Sequence, residues 1–276
     1  MNYVEIAPWR LLIVFALVLV SSVFVSRRAG LGLEKDLVVG VIRAAVQLLA
    51  VGYLLVALFA HERPEWVLLM FSVMLAVAAA TSARRVDSGP PMSFMLPRAL
   101  LAIAAGSAVA LVPVFALVVV PTPWYEARYI IPISGMIVAN AMNVVALVNE
   151  RLFAAAKADS AEIEQWLALG ATPKQALARQ VREALRGSLI PTINGLLTVG
   201  LVSLPGMMTG QIVSGTAPEH AIRYQLVIMY QLVIVAAVSG AAAAFLARRS
   251  LFNPREQIRT DLGRQAESKN GTPSKR

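Results

Sequence analysis

Residues 37–60 read LVVGVIRAAVQLLAVGYLLVALFA, an unbroken apolar stretch with one ionisable side chain, Arg43. A bilayer's hydrocarbon core is about 30 Å thick and is crossed by about 20 predominantly apolar residues in a helix. This stretch therefore reads as a membrane-spanning helix, and its neighbours repeat the pattern. Working outward, comparable runs occupy Trp9–Val25, Trp66–Ser82, Ala99–Val120, Tyr129–Val148, Leu189–Ser214 and Tyr224–Ala247. The expected fold is all-α, a polytopic membrane protein of about seven transmembrane helices with a cytoplasmic helical segment. The composition agrees: 58% of the 276 residues are hydrophobic and 15% are charged, against about 25% charged in a soluble domain.

The first run has some features of a signal peptide, but Glu5 precedes it, Arg27-Arg28 follows it, and no small-residue cleavage site is visible. It is expected to remain as a span. The fourth run contains Pro113, and the sixth contains Pro205 among Gly200, Gly206 and Gly210. Membrane helices tolerate such breakers where neighbours or water satisfy the freed backbone, and Pro205 favours a kinked or broken helix.

Orientation follows from charge. Twenty of the 25 Lys and Arg fall after spans 1, 3 and 5 and in the tail, whereas the alternate side carries only Arg10, Arg63, Arg128 and Arg223. Positively charged loops face the cytoplasm, so the N-terminus is expected outside and the C-terminus inside a bacterial inner membrane. The net charge of +9 belongs to these loops. No basic patch interleaved with aromatic residues appears, so nucleic acid is set aside. The chain has no cysteine, which excludes disulfides, thiolate metal sites and a cysteine nucleophile.

The longest connection, residues 149–188, is cytoplasmic on this reading and strongly patterned. Ser160 can cap a helix that starts acidic with Glu162 and Glu164 and runs through Trp166 and Leu167 to a stop at Gly170. Thr172, Pro173 and Gln175 then carry the signals of a second helix start. The second helix is basic and would suit a lipid headgroup surface. The first is acidic and suits a protein socket better.

The run WLALGATPKQA (residues 166–176) resembles the coupling region of ABC permeases, where a short cytoplasmic helix followed by Gly docks into a groove of the ATPase subunit. The usual importer pattern places its Ile-x-Leu-Pro closer to the Gly than Ile190-Pro191 stands here. A closer resemblance spans nearly the whole chain. RAAVQL (43–48), GMIVANAM (135–142) and GLVSLPGMMTG (200–210), with Pro218 and AIRYQ (221–225) beyond, are similar to the FetB-like iron-export permeases. The resemblance implies a permease domain over residues 1–252, working as a homodimer with a separate ATP-binding subunit, and iron export as the task. Coupling to that subunit would fall to Glu162, Glu164, Trp166, Leu167, Gly170, Thr172 and Pro173. Residues 253–276 form a basic cytoplasmic tail expected to be disordered.

The chemistry the residues offer is sparse. The chain has no GxxxxGK[ST] phosphate loop, so ATP and Mg would be used by the partner and no cofactor is expected on this chain. No catalytic constellation is present, and His61 and His220 lie far apart. An Arg within the apolar core costs about 2.5–3.5 kcal/mol on insertion scales. Arg43 is therefore a path candidate with Gln47 one turn on, although it can also snorkel to the near face. Asn140 and Asn143 share a face of span 5, either lining a hydrated path or bonding across helices. Pro205, Gly206, Met207, Met208 and Gly210 complete the candidate path, since discontinuous helices line transporter sites. No metal-ligand set can be named: iron favours carboxylate and imidazole, and the spans offer thioethers of Met136, Met142, Met207 and Met208 instead. Carboxylates of Glu62, Glu65, Glu126 and Glu219 stand at the outer edge. The competing readings are a stand-alone cation channel or secondary carrier, which needs intramembrane relay residues, and a non-transporting membrane scaffold.

Overall fold

A computed structural model describes residues 7–30, 32, 34–60, 63–86, 90–253 and 257–258. His61, Glu62 and nearly all of the tail lie outside them. Every regular element among the described residues is a helix, and six helices are long and apolar enough to cross a membrane.

The chain divides into two compact units, residues 1–62 and 63–276. The first is a hairpin of α1 (Pro8–Arg28) and α2 (Glu34–Ala60). Ser26 Oγ donates to Glu34 Oε1 at 2.9 Å across its turn. Leu58 is the one buried residue of α2; the remaining apolar surface of such a hairpin suits lipid, which is as apolar as Leu.

The second unit holds α3 (Pro64–Arg84), α4 (Met92–Pro113), α5 (Ala127–Ala158), α6 (Ser160–Ala168), α7 (Pro173–Ala176), α8 (Ala178–Thr198), α9 (Gly206–Val213) and α10 (Pro218–Leu251). A π-helical turn, Val114–Val118, extends α4 beyond Pro113, the kind of adjustment that accommodates a helix breaker. Helices α5 and α10 are central: α10 packs on α4, α5, α8 and α9, and α5 on α3, α4 and α8. The core between them is rich in small residues, among them Ala79, Ala99, Ala102, Ala110, Ala141, Ala236 and Ala243. Small side chains let backbones approach, and close packing is what holds helices together in lipid. Where α4 crosses α10, a Cβ on Gly106 would stand 2.7 Å from Ser239 Cβ, so the two helices meet there only because residue 106 has no side chain.

Two expectations are revised. The sixth run, Leu189–Ser214, is not one helix: α8 ends at Thr198, residues 199–205 are irregular, and α9 restarts at Gly206. The cause is local, with Gly200 at φ +82° and Pro205 at the N-cap of α9. The basic helix expected after Thr172 likewise becomes a single turn, α7, followed by α8, which carries the basic segment without interruption into the apolar one. Nothing between Ala178 and Thr198 stops that helix, although it contains Pro191.

Helix length positions the rest. The 32 residues of α5 span about 48 Å at 1.5 Å per residue, far more than the apolar slab. Its last turns carry α6 at their tip. At that end a second core forms from Ala83 of α3, Met95 of α4, Leu152, Phe153 and Ala156 of α5, Ala247 and Leu251 of α10, and the α6–α8 residues Ile163, Ala176, Leu177 and Ala184.

Candidate functional site

Two places in the second unit answer to the site residues expected from the sequence. The first is the α6–α7 hairpin. Asp159, not Ser160, occupies the N-cap of α6, and no side chain caps it by hydrogen bond. The Asp159 carboxylate is engaged elsewhere, accepting from Arg179 Nη2 at 2.9 Å and from Gln180 Nε2 at 3.0 Å. Ile163 is fully buried and Leu167 packs beside it, which roots α6 in the second core. Glu162 accepts from Arg179 Nη2 at 2.7 Å, and Glu183 stands 3.6 Å from the same guanidinium. These carboxylates, Glu162 foremost, hold the Arg179 pKa above its ordinary value. Glu162 is thus a brace within the hairpin, whereas Glu164 is exposed and faces solvent.

The helix ends as the sequence indicates. Gly170 adopts φ +86°, its N–H donates to the Leu167 carbonyl at 3.0 Å, and the Ala171 N–H donates to the Trp166 carbonyl at 3.0 Å. This is the Schellman arrangement that glycine permits. Thr172 and Gln175 form a reciprocal capping box at α7, with Pro173 at the first position. The hairpin is therefore satisfied at its turn and anchored beneath. What it offers outward is Trp166, 50% exposed, and Leu169, 82% exposed.

The second place lies in the middle of the bundle. Asn140 Nδ2 donates to the Leu232 carbonyl at 2.9 Å, and Thr192 Oγ1 donates to Asn140 Oδ1 at 3.4 Å, so one amide ties α5, α10 and α8 together. Asn140 is cross-helix glue, one of the two roles expected for it. It also borders a cavity of 200 Å³ with Asn143 of α5, Ser188, Thr192 and Gly195 of α8, and Met229 of α10. The sequence reading missed the α8 contribution. Ser188, Thr192 and Gly195 stand at i, i+4 and i+7, a small and polar stripe that was legible once 178–198 is read as one helix.

Pro205, Gly206, Met207, Met208 and Gly210 gather at the start of α9. Met207 packs against the main core, as do Met136 and Met142, so three of the four thioethers serve packing. Gly206 and Gly210 have nothing within 4 Å of where a Cβ would stand. Arg43 and Gln47 are exposed on α2 of the separate N-terminal unit. Among the described residues no group of three or more His, Cys, Asp or Glu could hold a metal ion.

A family model described as an uncharacterised protein family, UPF0014, matches residues 8–252. The chain is 38% identical over 259 residues to the UPF0014 membrane protein YjkA of Bacillus subtilis, covering 94% of this chain and 99% of that protein. It is 38% identical over 229 residues to a UPF0014 membrane protein of Synechocystis, covering 83% and 88% respectively. It is 36% identical over 242 residues to a protein of Escherichia coli named a probable iron export permease, FetB, covering 88% and 91%. No solved structure gives a significant match.

Proposed function

We propose, from the premise that this chain belongs to the UPF0014 family of membrane proteins, that it is the permease subunit of an ATP-driven transporter exporting iron or a related metal species. The observation that carries the reading is the braced α6, which leaves Trp166 and Leu169 uncovered at the tip of a helix too long for the membrane. An exposed Trp on an anchored helix is the kind of side chain that, once buried in a partner's pocket, dominates a protein interface, and Leu169 adds apolar area next to it. Glu164, exposed on the same short helix, disfavours an anionic lipid surface and suits a basic groove.

A separate ATP-binding subunit would supply nucleotide chemistry, with ATP and Mg, since this chain carries no phosphate loop. The orientation is N-terminus outside and C-terminus inside. It is supported by the basic residues at one end of the second unit: Arg84, Arg85, Arg98, Arg248 and Arg249 flank the second core there, against Arg128 and Arg223 at the far end. The α8–break–α9 segment, flanking α10 along its length, makes the seventh crossing. Two copies of the chain then enclose the path.

Arg179 joins α6 to α8, and α8 continues into the membrane past Asn140 to the break. A push on Trp166 and Leu169 when the partner binds ATP is therefore delivered along α8 to the helix that carries the break. The cavity offers amide and hydroxyl oxygens and no charge, a set that suits a hydrated or chelated cation in transit better than a tightly held bare one. Iron as cargo is supported by the name of the Escherichia coli relative. The test is ATP-dependent ⁵⁵Fe movement in inside-out vesicles. Wild type should accumulate the metal only with ATP and the partner present, and the Trp166→Ala/Leu169→Ala variant should lose that accumulation; equal uptake without ATP or without the partner contradicts the proposal.

A further inference from the structure

One end of the cavity in the middle of the bundle points along α5 and α8 toward the second core. Leu147 of α5 and Ser188 of α8 line that end. The next positions are Arg151, one helical turn beyond Leu147, and Gly187, immediately before Ser188. These two meet. A Cβ on Gly187 would collide with Arg151 Nη1 and stand 2.7 Å from its Cζ, so the guanidinium lies against the α8 backbone in a notch that only glycine leaves open. A helical side chain leans back toward the N-terminus of its helix, which for Arg151 is toward Leu147 and the cavity.

The guanidinium carries five N–H donors in a planar fork. Among the described residues it makes no ion pair and no side-chain hydrogen bond. Glu150 precedes it without pairing, and Glu183, one turn before Gly187, stands against Arg179 instead. The polar lining of the cavity is neutral, the amides and hydroxyls of Asn140, Asn143, Ser188 and Thr192. A bare cation reaching this end meets a full positive charge with no carboxylate in the lining to offset it. An anion meets a donor fork that matches carboxylate geometry and holds it bidentately. A basic residue serving only orientation needs no notch to fix its head group; this one has a notch.

We propose that Arg151, seated at Gly187, is the recognition group at the mouth of this cavity, and that the species taken up there is an anionic, carboxylate-bearing metal chelate rather than a bare cation. The fork pairs with a carboxylate of the chelate, and the neutral amides and hydroxyls beyond receive its remaining oxygens. This rests on the transporter reading above and names its substrate class.

The test is equilibrium binding to the purified full-length chain in phosphatidylcholine nanodiscs, with ⁵⁵Fe(III) citrate as probe and ⁵⁵Fe(II) without chelator as comparison. Wild type should bind the chelate more tightly than the free ion, and excess citrate should displace it. Arg151→Gln should weaken chelate binding by about tenfold or more, the loss expected for a hydrogen-bonded charge pair. Arg151→Lys, which keeps the charge and loses the fork, should fall between the two. Gly187→Ala should also fall between them, because its methyl displaces the flexible end of Arg151 while the charge stays. Arg151 is exposed, so the Gln variant should melt at the wild-type temperature. Equal chelate affinity in wild type and Arg151→Gln overturns the proposal, as does tighter binding of free Fe(II) or no binding of the chelate. Loss of co-purifying anionic lipid from Arg151→Gln with chelate binding unchanged overturns it too, making the guanidinium a headgroup contact. The measurement needs neither ATP nor a partner. Chelate binding that depends on Arg151, together with iron movement indifferent to ATP, refutes the transporter reading alone; ATP-driven movement that survives Arg151→Gln refutes the recognition group alone.

Discussion

The α6–α7 hairpin and the α8–α9 break both interrupt helical structure between α5 and α10, and they do so in opposite ways. In the hairpin, Gly170 and Thr172 satisfy the backbone at the turn, Ile163 fixes the base, and two large side chains are left for display. In the break, carbonyls are left bare, the apolar residues touch little, and two glycines stand open. The first region is complete within one chain and presents side chains. The second leaves backbone groups unpaired among the described residues and presents backbone. A locally finished element suits a lever that must transmit force without deforming.

The contrast can be broken by substitution. Ile163→Ala should have the largest effect, because Ile163 is fully buried in the second core and such a truncation costs about 2–5 kcal/mol. Limited proteolysis should then cut the hairpin between Ala158 and Ala178. Leu201→Ala should leave the same digest unchanged, since that side chain is 89% exposed and holds no intrachain contact to lose. If Leu201→Ala proved as damaging to the isolated subunit as Ile163→Ala, the break would be finished after all.

Gly170→Ala comes next. An L-residue held at φ +86° costs about 1–2 kcal/mol, so the hairpin should fray at Gly170 without unfolding the bundle, visible as faster amide exchange in α6. Arg179→Ala should have the smallest effect. Its ion pairs are all at least partly exposed, and such pairs contribute little and are screened by salt. Its thermal stability should differ from wild type only at low ionic strength.

How far these regions could be read from the sequence differs for a physical reason. The spans were legible because the bilayer imposes length and apolarity on each helix separately. The hairpin was legible at its ends, Gly170 and Thr172-Pro173-xx-Gln175, because caps are local chemistry. Two features were not legible locally. The role of Glu162 depends on Arg179, 17 residues away, and Asn140 is fixed by Leu232 and Thr192 from two other helices. The sixth run, Leu189–Ser214, was expected as one stretch because its apolar composition is continuous, although Pro205 marked it as breakable. Its interruption is set by Gly200 taking a positive φ, which composition does not reveal.

The proposed docking of this chain onto an ATP-hydrolysing subunit through Trp166 and Leu169 can be tested directly. The direct measurement is purification of the tagged chain from its native membrane under gentle conditions, with quantification of co-purifying ATPase for wild type and for Trp166→Ala/Leu169→Ala. Both side chains are exposed, so the variant should fold and insert as wild type does. The account predicts a stoichiometric ATP-binding subunit with wild type and its loss with the variant. A chain that purifies without any ATPase, or a variant that retains its partner in full, would contradict it.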